Sequence, residues 1–165
     1  MTEATETHWY DEVVMPAMLE SARITYGMAM RRALLDAGFD DIPKRGMGLV
    51  GGIARNGPAA QQDVTRYLTI SKQAASQLVD ALVVRGSLDR APDPEDRRRM
   101  TLTLTERGTE AAEVSAGAVA KVDAAIARRF SPDDVSTLRR ILGTMIDIGE
   151  RAKERRRAAE GDEHE

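Results

Sequence analysis

The chain has 165 residues, 42% of them hydrophobic and 31% charged, the make-up of one compact domain or two small coupled modules rather than of a disordered chain. Aromatic residues supply only 4%, so a core must be built from Ala, Val, Leu, Ile and Met, and the absence of cysteine excludes disulfides, thiolate-held zinc and thiol redox sensing. A net charge of −3 does not by itself point to nucleic acid, although a local basic patch can still bind phosphate.

The first residues, MTEATETHWYDEV, are acidic and polar and lack the charged-then-apolar layout of a secretion signal. No apolar run approaches the ~20 residues that span a bilayer. The expectation is a cytoplasmic protein without membrane contact. Residues 1–9 carry no periodicity and are expected to fray. Over residues 11–37 apolar side chains recur at helical spacing, at Val14, Met18, Ala22, Tyr26, Met30, Ala33 and Leu34. Pro16 sits near the start, where a missing N–H is tolerated, and Gly38 reads as the stop. A second helix is expected over 43–55. It carries Gly46, Gly48, Gly51 and Gly52, each costing about 1 kcal/mol against alanine, so close helix packing or space for a ligand must compensate.

Asn56-Gly57-Pro58 ends that helix, and residues 59–68 read as a short third one. After the tight connection Thr69-Ile70, a fourth helix is expected over 71–85, with Ser71 as its cap, Gly86 as its stop and Ala74, Ala75, Leu78, Val79 and Leu82 inward. Two helices joined by so short a turn have the shape of a helix-turn-helix. Residues 88–91, a Pro/Asp loop and the alternating Met100-Thr101-Leu102-Thr103-Leu104 then read as a hairpin, or wing. Helical periodicity returns over 105–129. Ser131-Pro132-Asp133-Asp134 is a strong start for a last helix, which uses Val135, Leu138, Ile141, Leu142 and Met145.

The segments SKQAASQLVDALVVRG (71–86) and DPEDRRRMTLTLTERG (93–108) resemble the MarR family of winged helix-turn-helix transcription regulators, with Asp96, Arg98, Leu104 and Thr105 matching the family's wing pattern. The order of helices on either side agrees with that resemblance. The chemistry of the residues points the same way. A recognition helix needs polar side chains at its exposed N-terminal end, and Ser71, Lys72, Gln73, Ser76 and Gln77 meet that need. Arg97, Arg98 and Arg99 suit a negative minor groove. The resemblance implies that Arg98 is the wing residue that enters or clamps that groove. Asp96 cannot face phosphate favourably and is assigned to holding an arginine within the wing. Two positions depart from the family. Thr69 stands where a left-handed residue is wanted, so another turn conformation is expected. Ser87 stands where an apolar residue is usual.

The expected fold is mostly α, a winged helix-turn-helix with a small two-stranded hairpin wing and long N- and C-terminal dimerisation helices. Its parts are a dimerisation helix at 1–40, the DNA-binding domain at 41–106, two more dimerisation helices at 107–153 and a disordered tail at 154–165. The terminal helices carry apolar stripes with little to pack on in a single copy, which argues for a homodimer. The expected partner is double-stranded DNA. Ligand control, by a small anionic or aromatic effector, follows from the resemblance alone, and a pocket beside Tyr26, Met30 and Met47 is the candidate place.

Other readings have less behind them. Gly46 to Gly51 spells G-x-G-x-x-G, but Pro43-Lys44-Arg45 is no strand, so dinucleotide binding is not expected. His8 and His164 lie in the polar ends, and neither a metal site, a cofactor nor a catalytic set is expected, so the chain does not read as an enzyme. A helical interaction protein that has lost DNA binding would show no complex with the DNA upstream of its own gene. An architectural DNA protein would bind all duplexes nearly equally.

Overall fold

The computed structural model describes residues 8–93 and 95–162, with side chains to Arg156. The chain divides into two compact units, Met1–Val122 and Asp123–Glu165.

In the first unit a 3-10 turn, Trp9–Asp11, precedes α1 (Met15–Asp36). Pro16 falls in its first turn, and Gly38 follows it at φ +81°. Next come α2 (Gly46–Asn56), β1 (Ala59–Ala60), a 3-10 turn (Gln61–Asp63), α3 (Val64–Leu68), α4 (Lys72–Val84), β2 (Leu88–Pro92), β3 (Met100–Leu104) and α5 (Glu106–Ala127), whose residues from Asp123 on belong to the second unit. The sheet has the order β1-β3-β2 and is antiparallel throughout. Leu88 faces Leu104 and Pro92 faces Met100 across the hairpin, while Ala59 faces Leu102 on the other edge.

The core lies between the helix-turn-helix and the sheet. Leu34, Ile42, Val50, Val64, Val79, Leu82, Leu88 and Leu102 are all buried to 2% exposure or less. Each such side chain contributes about 1.5–3 kcal/mol relative to leaving it in water. Two of the four glycines of α2, Gly46 and Gly52, are explained by close packing, whereas Gly48 and Gly51 have only ordinary contacts around them. A β-carbon at Gly46 would lie 2.9 Å from a Leu82 methyl, and one at Gly52 would lie 2.9 Å from the Tyr67 hydroxyl. The helix pays in propensity and gains close contact with α4 and α3.

Three expectations need correction. Residues 59–68 do not form one helix: Ala59 and Ala60 add a third strand to the expected two-stranded wing, because the free edge of β3 accepts them. The stripe of α1, expected to have little to pack on in a single copy, is not buried along its length. Only Leu34 is fully buried and Val14 is 69% exposed, since no described residue of this unit covers the first half of that helix. Thr69 does not avoid the left-handed region but sits in it, at φ 53° and ψ 49°. The Ile70 N–H reaches the Thr65 carbonyl at 3.3 Å, so the helix-closing bond holds the β-branched residue there.

The third correction lies in the second unit, where α6 (Pro132–Asp162) continues through most of the expected disordered tail. Ala, Glu, Lys and Arg are strong helix formers, and Lys153 pairs with Glu150 one turn back at 2.7 Å. Residues 163–165, with His164, lie outside the described residues, as does the expected fraying at residues 1–7. The start of α6 is the capping box expected: Ser131 Oγ accepts from the Asp134 N–H at 3.2 Å, and Asp134 accepts from the Ser131 N–H at 3.0 Å. The Ser131 hydroxyl, then its backbone N–H, hold the Asp134 carboxyl below its ordinary value. Along α6 the apolar residues Leu138, Ile141, Met145 and Ile148 follow a 3-4-3 spacing and are all exposed. No helix among the described residues is long and apolar enough to cross a membrane.

Candidate nucleic-acid interface

The exposed end of α4 is set by local chemistry. Ser71 Oγ accepts from the Ala74 N–H at 3.2 Å, satisfying one of the helix's free donors. Ala75, Val79 and Leu82 point into the core, which turns Lys72, Gln73, Ser76 and Gln77 outward. At the other end Gly86 takes φ +68°, and the Ser87 N–H bonds the Leu82 carbonyl at 2.9 Å, closing the helix and aiming the chain into the wing. Ser87, the unusual residue there, is fully buried, and its hydroxyl accepts from Arg107 at 3.3 Å.

The wing tip is organised by two aspartates. Asp93 accepts from the backbone N–H groups of Glu95 and Asp96, at 2.9 and 3.2 Å, and from the Thr101 hydroxyl at 3.0 Å. The Glu95 N–H first, then the Thr101 hydroxyl and the Asp96 N–H, hold its carboxyl below the ordinary carboxylate value. Asp96 accepts from the Arg98 backbone N–H at 3.0 Å, so it fixes the arginine's main chain and, among the described residues, makes no bond to a guanidinium. The side chains of Arg97, Arg98 and Arg99 are exposed and make no hydrogen bond or ion pair among the described residues. The wing is braced against α4 by Arg90, which pairs with Asp80 at 2.8 Å.

Between α4 and the wing lies a groove of about 440 Å³ lined by Lys72 and Ser76 from the helix and by Arg98 and Arg99 from the wing. Gln61, Gln62 and Thr65 close its third side, and none of its lining residues is acidic. Ser71, Gln73, Gln77 and Arg97 are exposed beside it but do not line it. The sequence reading missed Gln61, Gln62 and Thr65. The paired glutamines ahead of α3 are the available signal, hidden by the helical pattern of residues 59–68.

A second hollow, of about 500 Å³, lies along α1 and the start of α2. Met30 and Met47 line it, as do Arg23, Arg31, Arg32 and Lys44. Tyr26, named with those methionines from the sequence, does not. At 100° per residue it falls on the far side of Met30 from the arc of α1 that faces the hollow. Among the described residues no three of His, Cys, Asp and Glu are grouped as metal ligands. His8 is exposed and stacks on Tyr10 with ring centres 4.9 Å apart.

Comparison with known proteins agrees with this geometry. A family profile described as the MarR family matches residues 47–99, which run from α2 to the wing tip. The winged helix is similar to those of the MarR family. The chain is also 25% identical over 103 residues to YhbI of Bacillus subtilis (strain 168), described as an uncharacterized HTH-type transcriptional regulator. That match covers 62% of this chain and 67% of YhbI. Among solved structures, one of MarR superposes with a TM-score of 0.72 at 19% identity, covering 89% of this chain and 98% of that one. The PcaV transcriptional regulator from Streptomyces coelicolor, in complex with its natural ligand, gives a TM-score of 0.61 at 17% identity, covering 81% and 89%. At these identities the likeness to the solved structures is one of fold. The MarR-type segment contains Lys72, Ser76, Arg98 and Arg99, so the whole two-sided part of the groove falls inside it.

Proposed function

We propose that this chain is a sequence-specific DNA-binding regulator of transcription, acting as a homodimer on a near-palindromic duplex site. The observation that carries the reading is the acid-free groove in which Lys72 and Ser76 of a capped helix meet Arg98 and Arg99 of a hairpin. One face of the molecule thereby offers short polar groups for base edges and guanidinium groups for phosphate or the minor groove. In this reading Gln73, Ser76 and Gln77 read bases in the major groove, Lys72 takes guanine or phosphate, and Arg97, Arg98 and Arg99 serve the minor groove. Ser71 holds the helix end, and Asp96 holds the wing's main chain.

Pairing of two copies is supported in each unit separately. In the first, Ile24, Met28 and Leu35 of α1 are more than 40% exposed, and in the second the 3-4-3 row on α6 has the spacing of a coiled-coil seam. A twofold pair would place its recognition helices on half-sites about 34 Å apart. The hollow beside Met30 and Met47, apolar within and cationic at Arg23, Arg31, Arg32 and Lys44, suits a small aromatic carboxylate as effector. Release of DNA on effector binding would make the protein a repressor.

Gel retardation and footprinting on the DNA upstream of its own gene test the reading. A protected, near-palindromic site is expected. Replacing Arg98 with Ala should weaken binding about tenfold and lower the slope of log affinity against log salt by about 1. Equal affinity for all duplexes would make the chain an architectural DNA protein. No retarded complex, with Arg98→Ala indifferent, would make it a helical interaction protein.

A further inference from the structure

Behind the groove, Arg107 of α5 has an unusual set of partners. Its Nη2 donates to Asp41 at 2.7 Å, and its Nη1 donates to the Arg85 carbonyl at 3.1 Å and to the Ser87 hydroxyl at 3.3 Å. The same guanidinium lies 5.1 Å from the centre of the Phe39 ring. Arg85 is the C-terminal cap residue of α4, and Ser87 is where the wing begins. One side chain therefore fastens the end of the recognition helix to the loop that joins α1 to α2.

That loop is held from its other side by Arg31, which donates to the carbonyls of Asp40 and Ile42 at 3.1 and 3.3 Å. Asp41, the partner of Arg107, stands between those two carbonyls in the chain. Arg31 also lines the hollow beside Met30 and Met47. A guanidinium bonded to neutral carbonyls can do better with a carboxylate, which adds an opposite charge and matches its fork with two parallel bonds. A carboxylate in the hollow would draw Arg31 off residues 40 and 42, free Asp41 to move, and shift Arg107 with it. The wing root would stay attached, because the Thr105 hydroxyl also holds the Gly86 carbonyl, at 2.5 Å. The end of α4 would thus tilt rather than detach.

We propose that Arg107 is a positioning residue for the recognition helix and that Arg31 governs it, so that a carboxylate in the α1–α2 hollow is read at the C-terminal end of α4. The regulatory meaning of this link rests on the DNA-binding reading above; the mechanical link does not.

The test is amide hydrogen exchange on the full chain without DNA. The reporters are the Gly86 and Ser87 N–H groups, which bond Val83 and Leu82, and the control is the Gly57 N–H, which bonds Ile53 in α2. Arg31→Gln and Arg107→Gln should each raise exchange at Gly86 and Ser87 about tenfold and leave Gly57 unchanged. The double variant should exchange no faster than Arg107→Gln alone, since both act through one link. Arg107→Lys, which keeps a charge for Asp41 without the fork, should fall between wild type and Arg107→Gln, and it serves in its place if that variant does not fold. Benzoate, as the probe anion, should raise the same two rates in wild type and not in Arg31→Gln.

Rates unchanged in Arg31→Gln, or effects that multiply in the double variant, overturn the link. Benzoate that leaves both rates unchanged overturns its control by a carboxylate. A failed gel shift with coupled rates would leave the link and remove the DNA reading; bound DNA with uncoupled rates would do the reverse.

Discussion

Between α2 and β3 the chain covers its own apolar side chains: Val50, Val79, Leu82 and Leu102 have no exposed surface. On α6 the same residue types are left open, with Leu138, Ile141, Met145, Ile146 and Ile148 between 40% and 65% exposed. Both regions are helical and similarly apolar in pattern. The winged helix has a sheet and three helices to close over its core, whereas no described side chain of α6 is buried. The lesson is that the winged helix covers its own apolar side chains, whereas the apolar row on α6 is left uncovered among the described residues.

The largest expected effect breaks the self-sufficient half. A β-carbon at Gly108 would run into the carbonyl oxygen of Ser87, a main-chain atom that cannot step aside. Gly108→Ala should cost on the order of 3 kcal/mol in denaturant-induced unfolding. A change below about 1 kcal/mol would mean that the wing root is looser than its contacts imply. Next, Ile141→Glu places a charge in the row on α6. Sedimentation should show a dimer becoming a monomer, with the dissociation constant rising about a hundredfold, or roughly 2.7 kcal/mol. An unchanged mass would remove α6 from the interface.

Smaller changes sharpen the contrast. Thr69 is the one non-glycine residue at positive φ among those described. Thr69→Gly should raise stability by about 0.5–1 kcal/mol, the relief of the β-branched side chain exceeding the added chain entropy. Gly117, in α5, has nothing within 4 Å of where a β-carbon would lie, so Gly117→Ala should add about 0.5 kcal/mol in the same assay. The smallest effect is confined to the wing tip. Asp93 has its carboxyl lowered below the ordinary value of 3.8, so its bonds contribute fully above about pH 4 and are lost as pH falls through the depressed value. Exchange at the Glu95 and Asp96 amides should rise in that acid range, and Asp93→Asn should remove the dependence.

What the sequence disclosed was local. The caps at Ser71 and Ser131, the stop at Gly86 and the alternation of 100–104 each depend on residues a few places apart, and each is where it was expected. What it concealed was long-range. The strand Ala59–Ala60 is too short to show a period, and its partners lie about forty residues on. Arg107 meets residues 22, 20 and 66 positions away, and nothing in TERG announces that. Of the groove, the helix and wing sides were legible because side-chain chemistry and spacing named them. The side at Gln61 and Thr65 was not, since it depends on a bend in the chain that opens α3.

The contact between Gly52 and Tyr67 has an evolutionary corollary. The phenol ring fills a volume that exists because residue 52 has no side chain, so the two positions share one allotment of space. Related chains should therefore vary there in concert, a bulkier residue at 52 appearing with a smaller one at 67. An aligned set of relatives would carry that covariation even where the side chains lining the groove differ.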